Sequence, residues 1–125
     1  MSDWEVFARS ELDAPIRHVG TVAADRPEDA EVFAWKLYDE WSWKEMFVVR
    51  REDIVRLIPG DHPEQTSATA CLIFGRTDAG PLLFQGRLES GDAAVRSGSH
   101  WVELALMPES SPRWVLGPVA GPVPR

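Results

Sequence analysis

The side chains of this chain best suited to chemistry are three histidines, one cysteine and a small polar stretch: His18, His62, His100, Cys71 and Ser97-Gly98-Ser99-His100. A metal centre needs three or four ligands converging on one point. The histidines are far apart in sequence, and none stands in a His-x-His or Glu-x-x-His setting. No metal site and no cofactor is therefore expected. His18 lies in a strand-like run and reads as a hydrogen-bonded sheet residue. Cys71 sits inside an apolar run, where a thiol is buried and unactivated. Serines beside a histidine on a loop do not make a nucleophile–base pair, which depends on side chains meeting in space rather than in sequence. The nine glycines are dispersed and form no phosphate-cradling pattern. No catalytic residue is assigned.

The charged residues have structural explanations first. Glu28, Asp29 and Glu31 fall on the opening turns of a predicted helix, where its dipole favours negative charge. Asp39 and Glu40 lie near the other end, where the dipole disfavours them, and pairing with Lys36 or with a partner's cations accounts for them. Lys44, Arg50, Arg51 and Arg56 are the one basic cluster. Pairing with Glu45, Glu52 and Asp53 explains it; contact with an acidic partner or a thioester's phosphates is the sharper reading. Six tryptophans are many for 125 residues, and four of them, Trp4, Trp35, Trp41 and Trp43, lie in the first half.

The elements that must position these groups follow from periodicity. Trp4 to Arg9 alternates as a strand, and Arg17 to Ala23 returns as a second. Asp25 is placed as a helix N-cap, with Pro27 in the first turn and Glu28 completing a capping box. Ala30, Phe33, Ala34, Leu37, Tyr38 and Trp41 then recur at helical spacing, which predicts a helix over 26–41 with these six turned to the core. Val32, Trp35, Lys36 and Asp39 point outward. Lys44 to Arg50 is a third strand, and Glu52 to Ile58 suits a further helical turn. Beyond Pro59-Gly60-Asp61-His62-Pro63, the runs Ala68–Phe74 and Pro81–Leu88 make a hairpin. Trp101–Met107 is a strand, and Arg113–Leu116 a short edge strand. The expected fold class is α+β: a small antiparallel sheet with one main helix (β-β-α-β) in residues 1–62. A strand-rich extension in 63–116 packs on the same domain, and a Pro/Gly-rich tail spans 117–125.

Composition narrows the function classes. Net charge is −7, which makes nucleic acid or an anionic membrane surface a poor partner. No apolar run reaches membrane-spanning length. The first residues have neither a basic nor an apolar leader region, so a soluble cytoplasmic protein is expected. One cysteine excludes an internal disulfide framework.

Trp4-Glu5-Val6-Phe7 with Arg9, then Arg17-His18-Val19-Gly20-Thr21-Val22-Ala23-Ala24, resemble the PaaB family. So do a helix with Ala30, Ala34 and Tyr38, and Phe47-Val48-Val49 followed by Asp53-Ile54. That family is the small B subunit of multicomponent phenylacetyl-CoA epoxidase, and the resemblance covers residues 4–61. It implies a non-catalytic, bridging subunit of a ring-oxidising assembly acting on an aromatic acyl-CoA, whose di-iron chemistry belongs to a ferritin-like partner subunit. Two departures stand out: the unmatched residues past Asp61 and the added tryptophans around Trp41-Ser42-Trp43. An interaction or peptide-carrying protein with the same small fold is the alternative, and a stand-alone small enzyme or ligand-binding protein is a third reading. A bridging role needs exposed contact surfaces, and Trp35, Lys36, Asp39, Trp43, Arg50 and Arg51 are the candidate interface residues. A homodimer through the helix or the sheet edge would supply two-fold attachment points.

Overall fold

The computed structural model of the chain describes residues 1–38, 42–57, 69–89 and 101–117. Its elements are β1 (Ser2–Arg9), β2 (Arg17–Ala24), α1 (Pro27–Leu37), β3 (Glu45–Arg50), a 3-10 turn (Arg51–Asp53) and β4 (Val55–Leu57). They continue with β5 (Cys71–Arg76), β6 (Leu83–Leu88), β7 (Glu103–Pro108) and β8 (Arg113–Leu116). The strands form one antiparallel sheet in the order β4-β7-β5-β6-β2-β1-β3-β8. Each half of the chain lends a strand to the other: β4 pairs with β7, and β8 pairs with β3.

The sheet is thinnest between β2 and β6, which share the single register pair Arg17↔Leu83. The His18 N–H donates to the Leu82 carbonyl at 2.9 Å, and the Phe84 N–H donates to the Ile16 carbonyl at 2.8 Å. About this joint the sheet folds over on itself. Phe7 of β1 and Phe47 of β3 thereby meet Phe74 of β5, with ring centroids 4.5 and 6.2 Å away. Phe7 and Phe47 stack on each other at 5.1 Å, and Trp114 of β8 meets the edge of Phe47 at the same distance. Leu72, Ala105 and Met107 complete this inner core. The opposite face of β1, β2 and β3 carries Trp4, Val6, Ala8, Val22, Met46 and Val48, which pack beneath Ala30 and Ala34 of α1. Period-two alternation thus buries both faces of β1, one under the helix and one under the folded-over strands.

The fold is predominantly β, which corrects the expected α+β class: the described residues hold eight strands and one three-turn helix. Two local outcomes produce the difference. The helix runs over 11 residues, Pro27–Leu37, rather than 26–41; Trp41 lies outside the described residues. The segment expected to add a helical turn makes one 3-10 turn and then enters β4, where Val55 and Leu57 pair with β7. The four strands expected in the second half form and join the same sheet. The N-cap is Arg26 rather than Asp25, and no side chain caps the first turn. Pro27 at N1 fixes the entry, since its φ suits the helix and its missing N–H is an orphan there anyway.

Two glycines are required by geometry. Gly86 has φ +142° beside the register shift between Ile73 and Phe74, the backbone region where a side chain is strained. Gly20 makes room for the end of α1: a Cβ there would lie 1.7 Å from the Tyr38 hydroxyl oxygen. Gly20→Ala is expected to cost on the order of 1–2 kcal/mol by displacing Tyr38. The cost should shrink in a Tyr38→Ala background, because the two residues compete for one volume. Urea unfolding of both single variants and the double tests this, and strict additivity would refute it.

Candidate functional site

The inner face of β1 presents Glu5, Phe7 and Arg9 in sequence, against Val49, Phe47 and Glu45 of β3. The aromatic pair is therefore bracketed by two buried carboxylates. Glu45 takes the Arg9 guanidinium, which also donates to the carbonyls of Leu12 at 3.1 Å and Ala14 at 3.2 Å, fixing the β1–β2 turn. Glu5 is 1% exposed and gathers three partners. His18 Nε2 lies 2.7 Å from its Oε1, the Thr21 hydroxyl donates to the same oxygen at 2.8 Å, and Arg51 Nε donates to Oε2 at 2.7 Å. Arg51 also bonds Asp3 at 2.8 Å.

Burial by itself raises the Glu5 pKa, but the hydrogen bonds from His18, Arg51 and Thr21 together outweigh it. They lower the pKa from 4.5 to about 2. A carboxylate held ionised this far below neutrality is a poor general acid or base at pH 7, where efficient catalysis wants a pKa near the working pH. Its hydroxyl neighbour, Thr21, is engaged with it. The cluster is a lock joining β1, β2 and the 3-10 turn, and no buried side-chain polar atom among the described residues lacks a partner. No group of three or more metal-ligating side chains occurs among the described residues.

A different kind of site lies on α1. Ala30 and Ala34 are the helix residues buried against the sheet, and because both are small the helix lies close to it. The larger apolar residues are left outside: Trp35 is 43% exposed, Phe33 44%, Val32 48% and Leu37 58%. Phe33 and Leu37 correct the expected core stripe. They flank the contact instead of filling it: Ala30 and Ala34 are the helix residues buried there, while Phe33 and Leu37 line the groove beside it. With Lys36 they form one wall of an open groove of about 510 Å³, whose other wall is Thr21, Val22 and Ala23 of β2. Past Arg17, β2 has no strand partner on that side among the described residues. The Tyr38 hydroxyl packs against its Gly20 position.

The structure separates the sequence-predicted interface residues. Trp35 and Lys36 are exposed on α1. Asp39 lies outside the described residues, as do His62, His100 and Ser97 to Ser99. Trp43 is buried at 8%, and its indole N–H donates to the Tyr38 carbonyl at 2.6 Å. Arg50 lies 5.3 Å over the Trp4 ring and pairs with Glu52 at 2.9 Å, while Arg51 belongs to the Glu5 lock. His18 is a hydrogen-bonded sheet residue. Sequence reasoning missed Glu5; the available signal was a carboxylate inside a strand whose neighbours Trp4, Val6 and Phe7 are all core-forming. Cys71 is buried, and its thiol donates to the Thr69 carbonyl at 3.4 Å.

No helix among the described residues is long and apolar enough to cross a membrane. Comparisons with protein-family models, curated proteins and solved structures give no match for this chain.

Proposed function

We propose that this chain is a non-catalytic bridging subunit of a multicomponent ring-oxidising assembly acting on an aromatic acyl-CoA, and that α1 is an attachment surface. The observation carrying the interaction role is the exposure of four large apolar side chains, Val32, Phe33, Trp35 and Leu37, on one 11-residue helix. Single exposed apolar residues are ordinary on a protein surface, whereas four large ones on one short helix mark it as a contact element. The type of assembly is supported by the resemblance of residues 4–61 to the PaaB family. The partner that this resemblance supports is a ferritin-like di-iron subunit, which carries the oxygen chemistry.

Co-elution on size exclusion with the di-iron subunit of a phenylacetyl-CoA epoxidase from the same genome tests the role. A stable complex is expected, and two separate peaks at micromolar concentrations refute it. Within that complex Trp35→Ala should weaken assembly at least tenfold, as tryptophan truncation at contact centres commonly does. The thermal midpoint should stay nearly unchanged. Unchanged assembly with a collapsed midpoint would make Trp35 a folding residue.

A further inference from the structure

We propose that the open edge of β2 takes up an extended peptide segment of an acidic partner protein as an added antiparallel strand. An apolar side chain of the peptide enters the groove lined by Phe33 and Leu37, and a carboxylate meets Lys36. The site lies on the β2 side of α1 and goes beyond the attachment role given to Trp35. Its backbone is turned the right way. The Lys44 N–H donates to the Arg9 carbonyl, so alternation directs the odd positions of β1 to β3 and the even ones to β2. Trp4, Val6 and Ala8 therefore bond Val22, Gly20 and Arg17. Thr21 and Ala23 turn their N–H and C=O groups to the other side, where β6 pairs only at Arg17. The Thr21 N–H meets the Tyr38 hydroxyl. The Thr21 carbonyl and both groups of Ala23 have no strand partner there among the described residues. Open edges are commonly guarded by charge, proline or a bulge. The two ends of the sheet carry Arg56 in β4 and Arg113 in β8. From Gly20 to Ala24, β2 pairs regularly with β1 and has no charged residue and no proline.

The surroundings of this edge select the occupant. Thr21, Val22 and Ala23 face Phe33, Leu37 and Lys36 across the groove, and every second side chain of an added strand points to that face. Among the described residues, every lysine and arginine makes an ion pair except Arg17, Lys36 and Lys44. All three belong to the C-terminal end of α1. Lys36 is in its last turn, and Arg17 lies 6.0 Å over the ring of Trp43. Trp43, which precedes Lys44, donates to the Tyr38 carbonyl at the helix end. A chain of net charge −7 thus gathers its unpaired described cations at one place, beside an apolar groove and a bare strand edge. That charge favours an acidic segment and disfavours a basic one. Main-chain bonds to Thr21 and Ala23 supply affinity for any extended chain, while the groove and Lys36 supply the choice among chains.

Fluorescence anisotropy of the full chain with a labelled seven-residue peptide tests this. In the probe, aspartate, leucine, valine and aspartate alternate with threonine, so one face of the strand carries the apolar pair and both acids. Saturable binding below ~1 mM is expected. Lys36→Glu should weaken it on the order of tenfold and should reverse the preference, favouring a probe with lysine for both aspartates. Ala23→Pro should remove binding while the chain stays folded by circular dichroism, because the lost N–H faces the open edge and not β1. Should that variant unfold, the same bonds are tested from the other side. In the antiparallel pairing the threonines turn their N–H groups to β2, so a probe with proline at the central threonine must bind at least tenfold more weakly. Trp35→Ala should leave peptide binding unchanged, which separates this site from the contact to the di-iron subunit. No binding at ~1 mM, equal binding of the aspartate and lysine probes, or indifference to both proline changes overturns the proposal. So does self-association of the chain that Ala23→Pro abolishes, since a second copy would then occupy the edge.

Discussion

Phe7→Ala is expected to destabilise the fold by about 3–5 kcal/mol, the range for truncating a fully buried aromatic. Phe7 is 0% exposed and touches both layers: it stacks on Phe47, tilts against Phe74 at 4.5 Å and lies 5.1 Å from the His18 ring. Phe7 belongs to the cluster in which Phe47 and Val49 meet Leu72, Phe74, Ala105 and Met107, and this packing supplements a β2–β6 joint of a single register pair with two flanking bonds. The cavity left by alanine would sit at the fold-over itself, where neither rigid strand pair can close in to fill it. A domain of this size has about 5–15 kcal/mol in total, so the variant should lose a large share of its stability. Urea midpoints with an unchanged slope would report it. A loss below about 1 kcal/mol would show that the aromatic cluster does not hold the layers together.

Phe7 also shows which parts of the fold could be read from sequence. Its strand was legible: aromatic and β-branched alternation predicts Trp4–Arg9, and β1 is Ser2–Arg9. The return strand, the second-half hairpin and the short edge strand β8 were legible for the same local reasons. What covers the Phe7 face was not, because the fold-over brings β5 and β7 to β1 across long stretches of chain and leaves no local signal. The helix failed in a related way. Period 3.6 placed Phe33 and Leu37 inward with Ala30 and Ala34, yet periodicity cannot give the distance between helix and sheet. Ala30 and Ala34 are the helix residues buried on the sheet, and Phe33 and Leu37 are left exposed at its flank. Of the candidate interface, Trp35 and Lys36 were legible as outward positions; the burial of Trp43 and the recruitment of Arg51 by Glu5 were not. A carboxylate in a strand ordinarily faces water, and only the three-dimensional meeting of His18, Thr21 and Arg51 makes Glu5 an interior residue.

Glu5→Gln should remove stability at neutral pH but much less at low pH. The folded-state pKa of about 2 lies below the ordinary 4.5, so the folded chain binds this proton less readily than the unfolded chain. Stability from the ionised carboxylate is thus fully present above about pH 4.5 and is lost as pH falls toward 2. A shift of this size corresponds to about 3 kcal/mol. Breaking a buried charged hydrogen-bond set by removing one partner costs a similar amount. The glutamine keeps the shape and can still accept from Thr21, but it no longer balances Arg51, which is half in water and can rehydrate. Wild type and variant should therefore differ by up to about 3 kcal/mol at pH 7, with the gap closing between pH 4.5 and 2. Taking the difference removes the contribution of the other acids, which titrate alike in both proteins. Denaturant unfolding at a series of pH values measures it. A gap that stays constant down to pH 2 would mean that Glu5 contributes through packing alone. A gap that widens on acidification would mean that its carboxyl is protonated in the folded state, and the lock between β1, β2 and the 3-10 turn would then have to be neutral.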